Sequence, residues 1–212
     1  MKHLALVLLL LACVCLCAAA VSAEQAAEIL TPVDMSDFEL NTEDGIYWAA
    51  ITDTDRIEDS GFFTARLYLQ DLYPADQVAA LTAGSKVRVI GQVYTVTALT
   101  PHEEGTLELF VQEDFDGYIV LNKVSDFFYT ALVNDWVPCT HIADIKILLP
   151  LANDFSFLWL DGGGDASVYD ADAFIALLGD EELTQYNTML QFSNELVTMI
   201  THTSYPAGPE AE

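Results

Sequence analysis

Basic residues are what this chain lacks most: seven lysines and arginines stand against 33 aspartates and glutamates, a formal charge of −26 at pH 7. Nucleic-acid binding needs a basic footprint that neutralises phosphates, so that class of partner is excluded. The same field excludes a face attracted to anionic lipid. Cysteine is scarce as well. Cys13, Cys15 and Cys17 share one apolar stretch near the N-terminus, which leaves Cys139 alone in the remainder. One cysteine closes no internal disulfide, so the chain is not a disulfide scaffold. Also missing are a G-x-S-x-G elbow, a P-loop, a dinucleotide fingerprint and any close His/Cys spacing of the zinc type. There is no repeat of fixed period and no linker long enough to force two domains.

What is present begins with an address. Lys2 and His3 precede an apolar run from Leu4 to Val21, and Val21-Ser22-Ala23 puts small residues ahead of Glu24. That is the pattern of a secretory signal peptide, residues 1–23, cleaved after Ala23. A run of about 18 residues also sits at the lower limit for an uncleaved membrane anchor. Leu10-Leu11-Ala12-Cys13 resembles a lipoprotein box that would carry a lipid on Cys13. All three readings make the protein secreted or cell-surface, with membrane contact only through this segment. Cleavage would leave 189 residues (212 less 23) carrying −27, because Lys2 leaves with the leader. So negative a surface serves as a solvated coat, or meets a cationic partner: calcium, a basic peptide or a positively charged surface.

Residues 24–45 read as an acidic lead-in with a short helix around Glu24 to Leu30 that stops before Pro32. Residues 46–205 read as a β-rich globular domain, with a possible subdivision near 123, and 206–212 as a disordered tail. Phe63, Ala65, Leu67 and Leu69 alternate with polar neighbours, the period of a strand with one buried face, and Ile46–Thr52 is its expected partner. Pro74–Leu81 predicts a short helix. Lys86–Ile90 and Val93–Leu99 predict a hairpin turned at Gly91-Gln92, with glycine first as a type II′ turn requires. Leu107–Val111, Tyr118–Leu121 and Ile142–Leu149 predict further strands, whereas Val124–Val133 fits helix or strand. The continuous apolar run Phe155–Leu160 predicts a central strand buried on both faces. Asp170 is a helix N-cap for Ala171–Leu178, and Thr188–Ser193 with Leu196–Thr203 form a C-terminal hairpin around Asn194-Glu195. The fold class is therefore β-rich α+β: a small antiparallel barrel or sandwich with two or three short helices.

Three constellations carry possible chemistry. Cys139 and His141, two apart on a strand, face the same side, and Asp144 or Asp135 is available to orient the histidine, as a secreted cysteine hydrolase requires. Its bland counterpart is a structural cysteine. Asp161, Asp165, Asp170 and Asp172, around Gly162-Gly163-Gly164, offer oxygens to calcium from a flexible loop, although the spacing departs from an EF-hand; a strand-to-helix loop with a capping aspartate explains them equally. Asp53, Asp55, Glu58 and Asp59 form a second acidic loop, from which a carboxylate pair for glycoside hydrolysis is conceivable. His102 and His202 join a metal site with His141 and Asp144 only if the fold brings them together. Finally, Trp48, Tyr68, Tyr94 and Tyr118 lie on or beside predicted strands. Any that face outward would make a sugar- or peptide-binding surface, and inward packing is their default. With no complete catalytic constellation, the function expected is a non-catalytic extracellular binding protein.

Overall fold

A computed structural model describes residues 29–52, 61–112, 115, 117–161, 165–178 and 183–204. The leader, the Asp53–Asp59 acids, the three glycines 162–164 and the tail lie outside these residues.

The described chain is strand-dominated with two short helices, as the spacing of its short strands predicts, and its strands form two seven-stranded sheets. The first sheet has the order β1-β5-β6-β7-β8-β9-β4. Its members are β1 (Ile29–Leu30), β4 (Leu72–Pro74), β5 (Lys86–Val89), β6 (Gln92–Pro101), β7 (Leu107–Val111), β8 (Ile119–Lys123) and β9 (Phe128–Val133). Its two edges nearly meet. The Val33 amide, just past β1, donates to the Leu72 carbonyl at the start of β4 (2.7 Å), and the Tyr73 hydroxyl donates to the Arg88 carbonyl of β5 (2.9 Å). The enclosed core includes Tyr73, Val87, Ile119 and Leu121, with Val78 of α1 (Ala75–Ala79) over one opening.

The second sheet has the order β10-β3-β2-β13-β14-β11-β12. Here β2 is Ile46–Thr52, β3 Phe62–Gln70, β10 Cys139–Leu148, β11 Ser156–Leu160, β12 Ala166–Tyr169, β13 Thr188–Ser193 and β14 Leu196–Thr203. Alternation in β3 behaves as read: Phe63, Ala65 and Leu67 are buried. They face a second core that α2 (Ala171–Leu177) covers by inserting Phe174 against Phe63, Phe155 and Phe157. Asp170 caps this helix, accepting the Ala173 amide at 2.9 Å.

Strand pairing is antiparallel except at β1–β5 and β11–β14 among the described residues. The chain passes between the sheets three times, between β1 and β2, at Asp71 and between β9 and β10, and Asp71 fastens the last two passages. Its amide donates to the Pro138 carbonyl, its carbonyl accepts the Thr130 hydroxyl, and its carboxylate accepts the Thr140 hydroxyl at 2.6 Å. Burial pushes that carboxyl above the usual range, and the Thr140 bond offsets part of the shift.

Several local expectations change. Ile29–Leu30 is a strand and not the end of a helix, because Leu30 enters the first core and pairs beside Val87. The lead-in is also fastened: the Tyr47 hydroxyl accepts the Asn41 amide and donates to the Asn41 carbonyl. Of Val124–Val133, residues 124–127 form a turn and Phe128–Val133 is strand β9, which pairs with β8 from Ile119↔Val133 to Lys123↔Tyr129. The β5–β6 turn is displaced by one residue. Val89 pairs with Gln92, so Ile90 (φ 48°) and Gly91 (φ 74°) are the central pair, the double positive φ of a type I′ turn. A β-branched residue there costs roughly 1–2 kcal/mol. In β11 only Phe157 is buried; Leu158 and Leu160 are half-exposed, since among the described residues the core lies on the other face of the sheet. The apolar run is two-sided, but one side faces out.

Candidate ligand-binding face

That outer face is built by register. Cross-strand pairing sets His141 beside Tyr68, Tyr68 beside Trp48 and Trp48 beside Met189. The same line continues through Thr201 and Leu158 to Val168, which is 69% exposed. It crosses all seven strands. Each member lies on the side opposite the buried Tyr47, Ala49, Leu67 and Leu190, because side chains alternate along a strand. Trp48, Tyr68, Met189 and Leu158 are half-buried. Their flanks touch neighbours across the sheet, and the Tyr68 and His141 rings meet edge-on at 5.5 Å. Within the row His141 is polar and Thr201 is itself buried, and the other five members are apolar or aromatic. Partly exposed apolar side chains rimmed by polar groups suit an interaction surface. The rim is present: Asp144 meets His141 at 2.9 Å and Arg66 at 3.9 Å, all three exposed.

At the β10 end this face deepens into a cavity of about 80 Å³ lined by Trp48, Asp135, Val137, Cys139, Gln185 and Tyr186. It lies where the two cores adjoin, for Tyr186 packs edge-on against Trp136 of the first core at 5.3 Å. Asp135 reaches it from a turn in which Asn134 (φ 46°) and Asp135 (φ 72°) are both left-handed, residue types that tolerate this conformation. The Tyr118 hydroxyl donates to the Asp135 carboxylate, and the Tyr118 backbone is in turn tied to the same turn, its amide donating to the Asn134 side-chain oxygen at 3.0 Å. Burial raises the Tyr186 phenol above its ordinary range, with the Gln185 side chain opposing the shift; the ring stays neutral.

The other sequence-predicted residues fall as follows. Cys139 and His141 share a side of β10, as alternation requires, but their chemistry is directed apart. The thiol donates to the Val137 carbonyl at 3.4 Å, whereas His141 Nε2 meets Asp144. Burial, with the nearby Asp71 charge second, pushes the Cys139 thiol up to about 12, the opposite of an activated nucleophile. His102 pairs with Glu108 beside the first sheet at 3.0 Å, and the buried His202 ring meets Trp159 at 4.4 Å, tilted by 50°. Asp161 accepts the Asp165 amide across the β11–β12 turn at 2.9 Å, and Asp170 is engaged as the cap of α2 with Asp172 in its first turn. Among the described residues, no three His, Cys, Asp or Glu side chains gather as a metal-binding group. Of the aromatics, Trp48 and Tyr68 face outward, Tyr94 packs on Phe115 against the first core, and Tyr118 positions Asp135.

Gln185, Tyr186 and Met189 are the site residues that the sequence reading does not single out. Their only local signal is an aromatic just ahead of a strand. No protein-family model, no curated protein and no solved structure matches this chain.

Proposed function

We propose that this is an exported, non-catalytic protein that binds a partner on the outer face of its second sheet, at the Trp48–Tyr68 pair and the adjoining cavity. The observation that carries the reading is the row that crosses all seven strands on the side away from the core, with Trp48, Tyr68, Met189, Leu158 and Val168 as its apolar members. Tryptophan and tyrosine are the side chains from which binding hot spots are built: each offers large area with few rotatable bonds and one polar tip. The pre-formed cavity at the meeting of two cores is where ligand sites occur preferentially. Secretion, or display at the cell surface, is supported by the apolar leader that precedes the folded part.

Arrays of oligosaccharides and of peptides of graded charge test this. Binding to one class is expected to fall at least tenfold in Tyr68→Ser, a half-exposed position that the fold tolerates. It should be unchanged in Leu148→Ser, an exposed site in a separate groove on the same sheet. Retention of binding by Tyr68→Ser, or no binding to any class, contradicts the reading.

A further inference from the structure

We propose that the cavity between Trp48 and Tyr186 receives an alkylammonium group, the end of a lysine side chain or its methylated form, from the partner. The inference rests on the binding-face reading and specifies what the face recognises. Its basis is the combination of aromatic walls with one fixed carboxylate. Aromatic faces attract cations through the ring quadrupole, most strongly where water is displaced, and tryptophan is the strongest of them. Asp135 supplies the counter-charge at the same cavity. Because the Tyr118 hydroxyl and the left-handed turn already hold that carboxylate, little ordering remains to be done when the ligand arrives.

The alternatives fit less well. An anionic group would meet Asp135 inside a chain of net charge −26. An uncharged apolar group would strip water from Asp135 and Gln185 and return no hydrogen bond. At about 80 Å³ the cavity is far below the several hundred Å³ typical of sites for whole small molecules. Since about 10–15 Å³ of such volume holds one water, it has room for an ammonium and its adjacent carbons. The neutral Cys139 thiol and Val137 complete an apolar lining without a competing positive charge. The strongly negative field outside brings cations toward this surface and increases their encounter rate.

Choline and its uncharged isostere 3,3-dimethyl-1-butanol separate charge from shape. Each is titrated into the full protein while the Trp48 indole and Gln185 side-chain amide signals are followed by NMR. Choline is expected to shift both signals saturably, at least tenfold tighter than the alcohol. Asp135→Asn should weaken choline at least fivefold with the melting temperature unchanged, because asparagine suits the φ of 72° and keeps the side-chain shape. Equal affinity for the two probes, or full affinity in Asp135→Asn, overturns the cation inference while leaving the binding face standing. No shift at either signal also overturns it. The binding-face reading itself is decided separately, by the Tyr68→Ser array result.

Discussion

Thiol reagents at pH 8 are expected to label Cys139 in the folded protein about a thousandfold more slowly than in the denatured chain, since only the thiolate reacts and its fraction falls tenfold per unit of pKa. Two features produce the difference. The thiol is half-buried and donates to the Val137 carbonyl, and it is pushed up to about 12 first by burial and then by the Asp71 charge. An unfolded cysteine ionises near 8.5. The folded protein therefore holds this proton more tightly than the unfolded chain. The stability the thiol contributes is complete below about pH 8.5 and is lost as pH rises toward the folded value. A cysteine hydrolase requires the reverse, a thiol lowered by a neighbouring imidazole. Labelling of the native protein at the rate of the denatured one would contradict the geometry and restore the Cys139–His141 hydrolase as the better reading.

Phe174→Ala is expected to cost about 3–5 kcal/mol, the range for removing a fully buried phenylalanine. Phe174 is 0% exposed and meets three rings, Phe63 at 6.0 Å, Phe155 at 5.4 Å and Phe157 at 5.0 Å. Its helix α2 is only seven residues long, too short to be stable alone, so it stays in place by what it buries. Without that ring the second core loses the contacts that Phe63, Phe155 and Phe157 make with it. Urea denaturation measures the effect against Phe127→Ala, a 74% exposed control expected to change stability by about half a kcal/mol or less. A cost under about 1 kcal/mol for Phe174→Ala would mean that α2 is not the cover of this core.

Much of the strand pattern was legible in the residues. The alternation at Phe63, Ala65 and Leu67, the Asp170 cap and the Asn194-Glu195 hairpin depend on neighbours a few residues apart, and each appears where local chemistry puts it. What was not legible depends on distant partners. Gly91 announces a turn, but only the pairing of Val89 with Gln92 sets which two residues form it. Ile29-Leu30 carries no sign that it will lie beside Val87, fifty-odd positions on. The partition into two cores follows from the passages between β1 and β2, at Asp71 and after Val133, which no local period records.

The binding face was half legible for the same reason. Trp48 and Tyr68 stood out as aromatics on strands, and alternation against the buried Ala49 and Leu67 is enough to turn them outward. Asp135 and Tyr186 reach the cavity only through tertiary structure, one by a left-handed turn and the other by packing on Trp136. The apolar run through β11 was the misleading signal. Periodicity reads it as a strand buried on both sides, whereas its outward residues belong to the exposed row.

Chemical-shift mapping of a library of small polar and aromatic fragments on the isotopically labelled protein tests the central claim most directly. The perturbed amides are predicted to cluster on Trp48, Tyr68, Tyr186 and Met189, with Trp48→Ala removing the cluster. Hits gathered instead in the groove between Leu148 and Leu196, or scattered without preference over both sheets, would contradict the assignment of function to the outer face of the second sheet.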